Sequence, residues 1–184
     1  YGPAGTDLSF ARLMKGQMMY EYFPIGLEHM GAQIDFCELL GGEILHLGDN
    51  IKVGSCRNNH PGGALSYRLD YQGRSCCYVT DTEHHSPIDE KLQEFIKGAD
   101  LVIYDSNFTD LEYCGYRSYL PKRGWGHSTW QEGIKLVKAA QAKTLVFFHH
   151  ASFRTDKDLK LIEKEAQGSY ANCLMAREGL VITL

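Results

Sequence analysis

Ala64-Leu65-Ser66-Tyr67-Arg68-Leu69-Asp70-Tyr71-Gln72-Gly73-Arg74-Ser75-Cys76-Cys77-Tyr78-Val79-Thr80-Asp81 is the stretch whose reading decides the fold. Leu65, Tyr67, Leu69 and Tyr71 alternate with Ser66, Arg68 and Asp70, the period of two that a strand imposes. Gln72-Gly73 is a turn, and Ser75 to Thr80 reads as the returning strand, so the segment predicts a β-hairpin. In a hairpin the start of the first strand lies beside the end of the second. His60, just before the first strand, and Asp81, just after the second, are therefore expected as neighbours at its open end.

Downstream, strand-like and helical patterns alternate. Ile88 to Lys97 carries Leu92, Phe95 and Ile96 at helical spacing, and Leu101 to Tyr104 is a short apolar run. Ser128 to Gln141 reads as a helix and Leu145 to Phe148 as another strand. Such βαβ units give parallel strands whose carboxyl ends share one edge, where ligands of open α/β layers bind. Asp81, Asp105 and either His149 or His150 follow those ends, and His127 opens the helix that starts at the same edge. A His/Asp cluster at a sheet edge makes metal binding the first hypothesis. Upstream, Gln33 to Leu39, Glu43 to Leu47 and Ile51 to Cys56 read as an antiparallel meander with turns at Gly41-Gly42 and Asp49-Asn50. Thr6 to Lys15 reads as a short helix, and the Met-, Tyr- and Phe-rich stretch from Gly16 to Gly31 as an irregular cover. A meander in front and βαβαβ behind suggest two sheet regions with helices outside, in a single domain over residues 1–184.

Of the 184 residues, 43% are hydrophobic and 23% charged, as in a globular protein, and the net charge of −4 gives no bulk attraction to nucleic acid. No apolar run approaches the roughly 20 residues of a membrane span. The opening Tyr1-Gly2-Pro3 lacks a basic-then-apolar leader, so the expectation is a cytoplasmic protein. Cys37, Cys56, Cys76, Cys77, Cys114 and Cys173 form no CxxC pair, and reduced, packed thiols are expected.

Thr109 to Gly126 shows no clear element, yet carries Tyr113, Tyr116, Arg117, Tyr119, Lys122, Arg123 and Trp125. Long irregular loops in compact domains are often functional. Arginine and aromatic residues beside a metal edge suit an anionic substrate with a flat group, such as a nucleotide; a solvated surface loop is the plain alternative. Arg117, Lys122 and Arg123 also suggest salt-sensitive nucleic-acid binding without metal. Ser128-Thr129-Trp130-Gln131 resembles a capping-box start, with Trp130, Ile134 and Val137 as the buried stripe behind it. Helix starts of this kind favour an anion. His84 and His85 are expected at the surface, and His29 and His46 have no role beyond packing.

Four motifs then occur in order: His60-Pro61-Gly62-Gly63-Ala64-Leu65-Ser66-Tyr67-Arg68, Tyr78-Val79-Thr80-Asp81-Thr82, Gly126-His127-Ser128-Thr129 and Phe148-His149-His150-Ala151-Ser152-Phe153-Arg154. Together they resemble the metallo-β-lactamase superfamily, in the branch of tRNA 3′-end-processing ribonucleases and related phosphodiesterases. The resemblance implies an α/β fold, part of a four-layer αββα sandwich. It implies His60 as a ligand of one metal, Asp81 as the bridge between two, and His150 as the last histidine ligand. His150 is preferred to His149 because His150-Ala151-Ser152-Phe153-Arg154 aligns with the family's H-x-S-x-R. His127 matches a histidine that protonates the leaving group, and Asp105 an acid paired with it. Two Zn²⁺ ions are implied for a complete site, with Mn²⁺ or Fe in some relatives.

The family's HxHxDH motif is absent. In the family it precedes a strand that often ends in a Tyr-Gly-Pro-like turn. The expectation is therefore a C-terminal portion lacking the first strands, its site completed by an N-terminal segment or a partner chain. His60, Asp81 and His150 with water would hold zinc only weakly. The implied function is metal-dependent hydrolysis of phosphodiester bonds in an anionic small-molecule or nucleotide substrate, RNA among them; a homodimer is compatible with it. The competing expectation is a catalytically silent half-domain serving binding or assembly.

Overall fold

The structure is a computed structural model that describes residues 1–5, 7–116 and 120–184. Arg117 and Tyr119, singled out above, lie outside the described residues. Two short strands, β1 (Gly2–Pro3) and β2 (Glu38–Leu39), pair in parallel. Between them lies α1 (Phe10–Gln17), capped by Ser9. The expected strand from Gln33 to Leu39 is thus reduced to its last two residues. The Met-rich stretch does not act as a cover either: Tyr20 and Tyr22 are exposed, because Pro24 and the lack of any period leave no apolar face to press inward.

The main sheet has seven strands in sequence order: β3 (Ile44–Leu47), β4 (Ile51–Arg57), β5 (Leu65–Tyr71), β6 (Arg74–Val79), β7 (Leu101–Asp105), β8 (Thr144–Phe148) and β9 (Cys173–Met175). The first four are antiparallel and the last four parallel, so β6 belongs to both arrangements. The two sheet regions expected from the sequence are one continuous sheet. Gln72 and Gly73 both take positive φ at the β5–β6 turn, which matches the right-handed strand twist and sets the register Tyr67 to Tyr78.

The helices α2 (Glu90–Phe95), α4 (Trp130–Ala139) and α5 (Asp156–Ser169) pack on one face of this sheet. Cys77, Val79, Val102, Tyr104, Leu145 and Phe147 point into that layer and meet Leu92, Ile96, Trp130, Ile134, Val137 and Ala166. Helix α4 lies close: a Cβ on Gly133 would come within 2.7 Å of the Tyr104 ring. Within the stretch expected to be irregular, α3 (Asp110–Tyr113) forms behind a Thr109/Glu112 capping box. A second capping box, Thr155/Asp158, starts α5. Among the described residues no helix is long and apolar enough to cross a membrane.

At the edge where the parallel strands begin, Asp100 locks three of them together. Its Oδ2 accepts the Ser75 backbone N–H at 2.8 Å, and Lys143 Nζ reaches its Oδ1 at 2.7 Å. Lys143 first, then Ser75, lower the Asp100 carboxyl pKa to about 2. A depressed carboxyl pKa stabilises the fold above the unfolded-state value, and that contribution is lost as pH falls through about 2. Asp100→Asn should therefore cost about 1–2 kcal/mol at pH 7, with the difference from the parent shrinking as urea midpoints are followed from pH 5 towards 2.

Candidate metal centre

At the opposite edge, in-register pairing of Val79 with Tyr104 and of Asp105 with Phe148 brings three strand ends level. Asp81, Asp105 and His149 emerge there, and both Asp81 (φ 54°) and His149 (φ 60°) are in the left-handed region. Such backbone is uncommon outside glycine and clusters at functional sites. The fourth member arrives from the helix layer. Phe108 forms a parallel bridge with Thr129, and this sets His127 over the ends of β6, β7 and β8. One potential ligand atom from each of Asp81, Asp105, His127 and His149 lies within 4.8 Å of all the others.

Asp105 is the hub. It is fully buried, and its Oδ2 accepts the Asp81 backbone N–H at 3.0 Å and His127 Nδ1 at 3.0 Å. Its Oδ1 accepts the backbone N–H of Asn107 at 3.2 Å and of Ser128 at 3.3 Å. Burial pushes the carboxyl pKa up, but His127 and His149 outweigh it, so Asp105 is held below the usual carboxylate range. With Nδ1–H donated to Asp105, His127 presents a free Nε2.

The adjacent histidines divide. His149 places Nδ1 3.3 Å from Asp105 Oδ2 and 3.6 Å from Asp81 Oδ1, and Asp105 raises its pKa. That buried nitrogen is nevertheless aligned in no hydrogen bond. His150 lies outside the four-residue group and turns towards the Ala176 backbone, with burial lowering its pKa. His60 sits on the rim, its ring centroid 5.4 Å from that of His127. Its Nδ1 is 2.9 Å from the Gly126 carbonyl, and His60 lies outside the four-residue group. Gly126 has φ 81°, and a Cβ there would run into the His60 ring.

Sequence reasoning passed over Glu83. This buried carboxylate accepts the Tyr113 hydroxyl at 2.6 Å and the Gly124 N–H at 2.8 Å through Oε1, and the Gly126 N–H at 2.9 Å through Oε2. Burial raises its pKa, yet the three donors outweigh burial and keep it low. Glu83 thereby clamps the loop that delivers His127. The only sequence hint was its place two residues past Asp81. His84, expected at the surface, is half-buried: its ring lies 4.3 Å from that of Tyr113, and its Nδ1 is 3.1 Å from Ser128 Oγ.

Two carboxylates and imidazole nitrogens form a hard-to-borderline donor set suited to zinc. His149 Nδ1 and His150 Nε2 are both buried without an aligned hydrogen bond, the kind of atom that a metal would satisfy. The residues present fit a divalent ion, which Asp81 and His149 would be placed to ligate and Asp105 to orient.

A family model described as "Beta-lactamase superfamily domain" matches residues 41–150. The chain is 34% identical over 113 residues to a Ribonuclease Z of Gemmatimonas aurantiaca, covering 61% of this chain and 32% of that protein. It is 31% identical to a Ribonuclease Z of Halalkalibacterium halodurans, covering 61% of this chain and 33% of the relative. The chain thus spans about a third of the length of these curated relatives. The metallo-β-lactamase fold protein YhfI from Bacillus subtilis superposes with a TM-score of 0.62 at 20% identity, over 78% of this chain and 52% of its own.

Glu83→Ala leaves three donors without their acceptor and should destabilise the protein by about 2–4 kcal/mol. Hydrogen exchange should report it locally, as faster exchange of the Gly124 and Gly126 amides than of amides in β8.

Proposed function

The chain belongs to the β-lactamase superfamily, and on that premise we propose that it carries part of the active site of a metal-dependent phosphodiester hydrolase. The observation that carries this reading is the Asp105-centred group, with Asp81, His127 and His149 converging within 4.8 Å. Similarity to two proteins named Ribonuclease Z favours phosphodiester bonds in RNA or a smaller nucleotide.

Asp81 and His149 would hold the metal in this reading, with the His60 ring 5.4 Å from that of His127 as a further candidate donor. The sequence register favoured His150; the geometry supports His149, because of the two neighbouring histidines it is His149 that pairs with Asp81 and Asp105. The chemistry that a bound zinc ion contributes is Lewis acidity towards the phosphoryl group and activation of a water nucleophile. The chain's own residues then govern proton transfer. Asp105 fixes the His127 ring through Nδ1. His127 delivers the proton from Nε2 to the departing oxygen.

We place the remaining ligands on a second layer against the open face of the sheet. That face presents Leu69, Tyr71, Tyr78 and Phe148, each 39–47% exposed. Tyr78, Ile103, Val146 and Phe148 also line a hollow of about 300 Å³ with Leu180 and Ile182. An apolar sheet face of this extent is normally covered. The same face also favours the second reading, a half-domain that assembles without catalysing, and zinc binding separates the two.

Competition with a chelating dye should show zinc affinity falling at least about 10- to 100-fold in Asp81→Ala, His149→Ala and Asp105→Asn. His150→Ala should stay close to the parent. If only His150→Ala loses zinc, the ligand assignment reverses; if the parent binds none, the chain's own residues do not suffice to hold the metal.

A further inference from the structure

A cavity of about 480 Å³ opens against the metal group, and its walls differ in character from the group itself. His127 and His149 form one end, while Phe108, Trp125, Phe153 and Lys122 line the rest. The volume falls within the range of about 300–1,000 Å³ typical of small-molecule sites. Trp125 is 53% and Phe153 62% exposed, so both rings are open to a ligand. Lys122 Nζ stands 4.0 Å from the Trp125 ring centroid and 5.9 Å from that of Phe108, so its ammonium rests on aromatic rings rather than on a carboxylate. Among the described residues the acid in the wall is Glu112, which is already committed to Arg154 and to the Thr109 backbone and hydroxyl. Among the described residues, what remains is an aromatic slot with Lys122 as a cation that has no carboxylate partner, at the end of the cavity that His127 and His149 close.

We infer that this cavity is a base-binding subsite: a nucleotide's planar ring stacks on Trp125 and Phe153 while Lys122 faces its phosphate. The inference rests on the phosphodiesterase reading and adds to it the residues that select the substrate. Every nucleobase has a π-face, so such a slot favours a nucleotide over a sugar phosphate without requiring one particular base. Lys122, held on the ring by a cation–π contact, moves to the phosphate when a base takes its place.

The two tryptophans make the test direct, because Trp130 is buried and Trp125 is not. Zinc-loaded protein is titrated with adenosine 5′-monophosphate and, separately, with ribose 5-phosphate, by tryptophan emission and by calorimetry. The monophosphate should quench the exposed emission saturably and bind at least about tenfold more tightly than the sugar phosphate. Phe153→Ala and Trp125→Leu, read by calorimetry, should each remove most of that preference while leaving ribose 5-phosphate affinity within about twofold, since stacking engages only the base. Equal affinity for the two ligands, or a preference that survives both substitutions, overturns the subsite and leaves the phosphodiesterase reading standing. Binding of neither ligand overturns both. A single-stranded ribohexanucleotide tells the sources apart: affinity above the mononucleotide's assigns the slot to a base at a chain end, and equal affinity to a free nucleotide.

Discussion

A buried carboxylate has to be met by donors on every side, and the way Asp105 meets this demand determines the rest of the site. Leaving such a charge unpaired would cost several kcal/mol, by the order of magnitude that applies to ions removed from water. Its partners come from four pieces of chain: Asp81 beyond β6, Asn107 beyond β7, His127 and Ser128 ahead of α4, and His149 beyond β8. Satisfying one side chain therefore fixes the relative positions of four loop ends. The outcome is a cluster held together by the chain's own hydrogen bonds. Glu83 does the same at one remove, gathering Tyr113, Gly124 and Gly126 so that His127 approaches Asp105 from a fixed direction.

The two faces of the sheet tell complementary stories. On the helix side Cys77, Val79, Val102, Leu145 and Phe147 are sealed by α2, α4 and α5. On the other side Leu69, Tyr71, Tyr78 and Phe148 remain partly open. Asp105, Ile103, Val146 and Phe148 share this second side through the β7–β8 register. A layer docked there would reach the metal group from the direction that the chain's own helices leave free, which is why apolar cover and ligand completion are proposed together.

Much of the architecture was legible because the hairpin and the βαβ units obey simple periods. Alternation from Leu65 to Tyr71 and the Gln72-Gly73 turn were enough to place Asp81, and the apolar runs before Asp105 and His149 placed those residues at the same edge. The short helices were harder. Thr109 and Glu112 spell a capping box, yet the four residues that follow Thr109 show no period long enough to read. That His149 rather than His150 pairs with Asp81 and Asp105 goes with a φ of 60° at His149, a property of the backbone that two identical neighbouring side chains cannot reveal. Glu83 was missed because three acceptor bonds to a distant loop leave no local pattern. The single sheet, read from sequence as two regions, depends on β6 pairing on both edges with opposite polarity, which no local stretch encodes.

The central claim is that the Asp105-organised group binds a metal through nitrogen and oxygen. X-ray absorption at the zinc edge of the zinc-loaded protein tests it most directly. The account predicts first-shell neighbours at about 2.0–2.2 Å with imidazole scattering beyond them. A dominant neighbour at about 2.3 Å, the signature of cysteine sulfur, would move the metal to the free thiols and contradict the account.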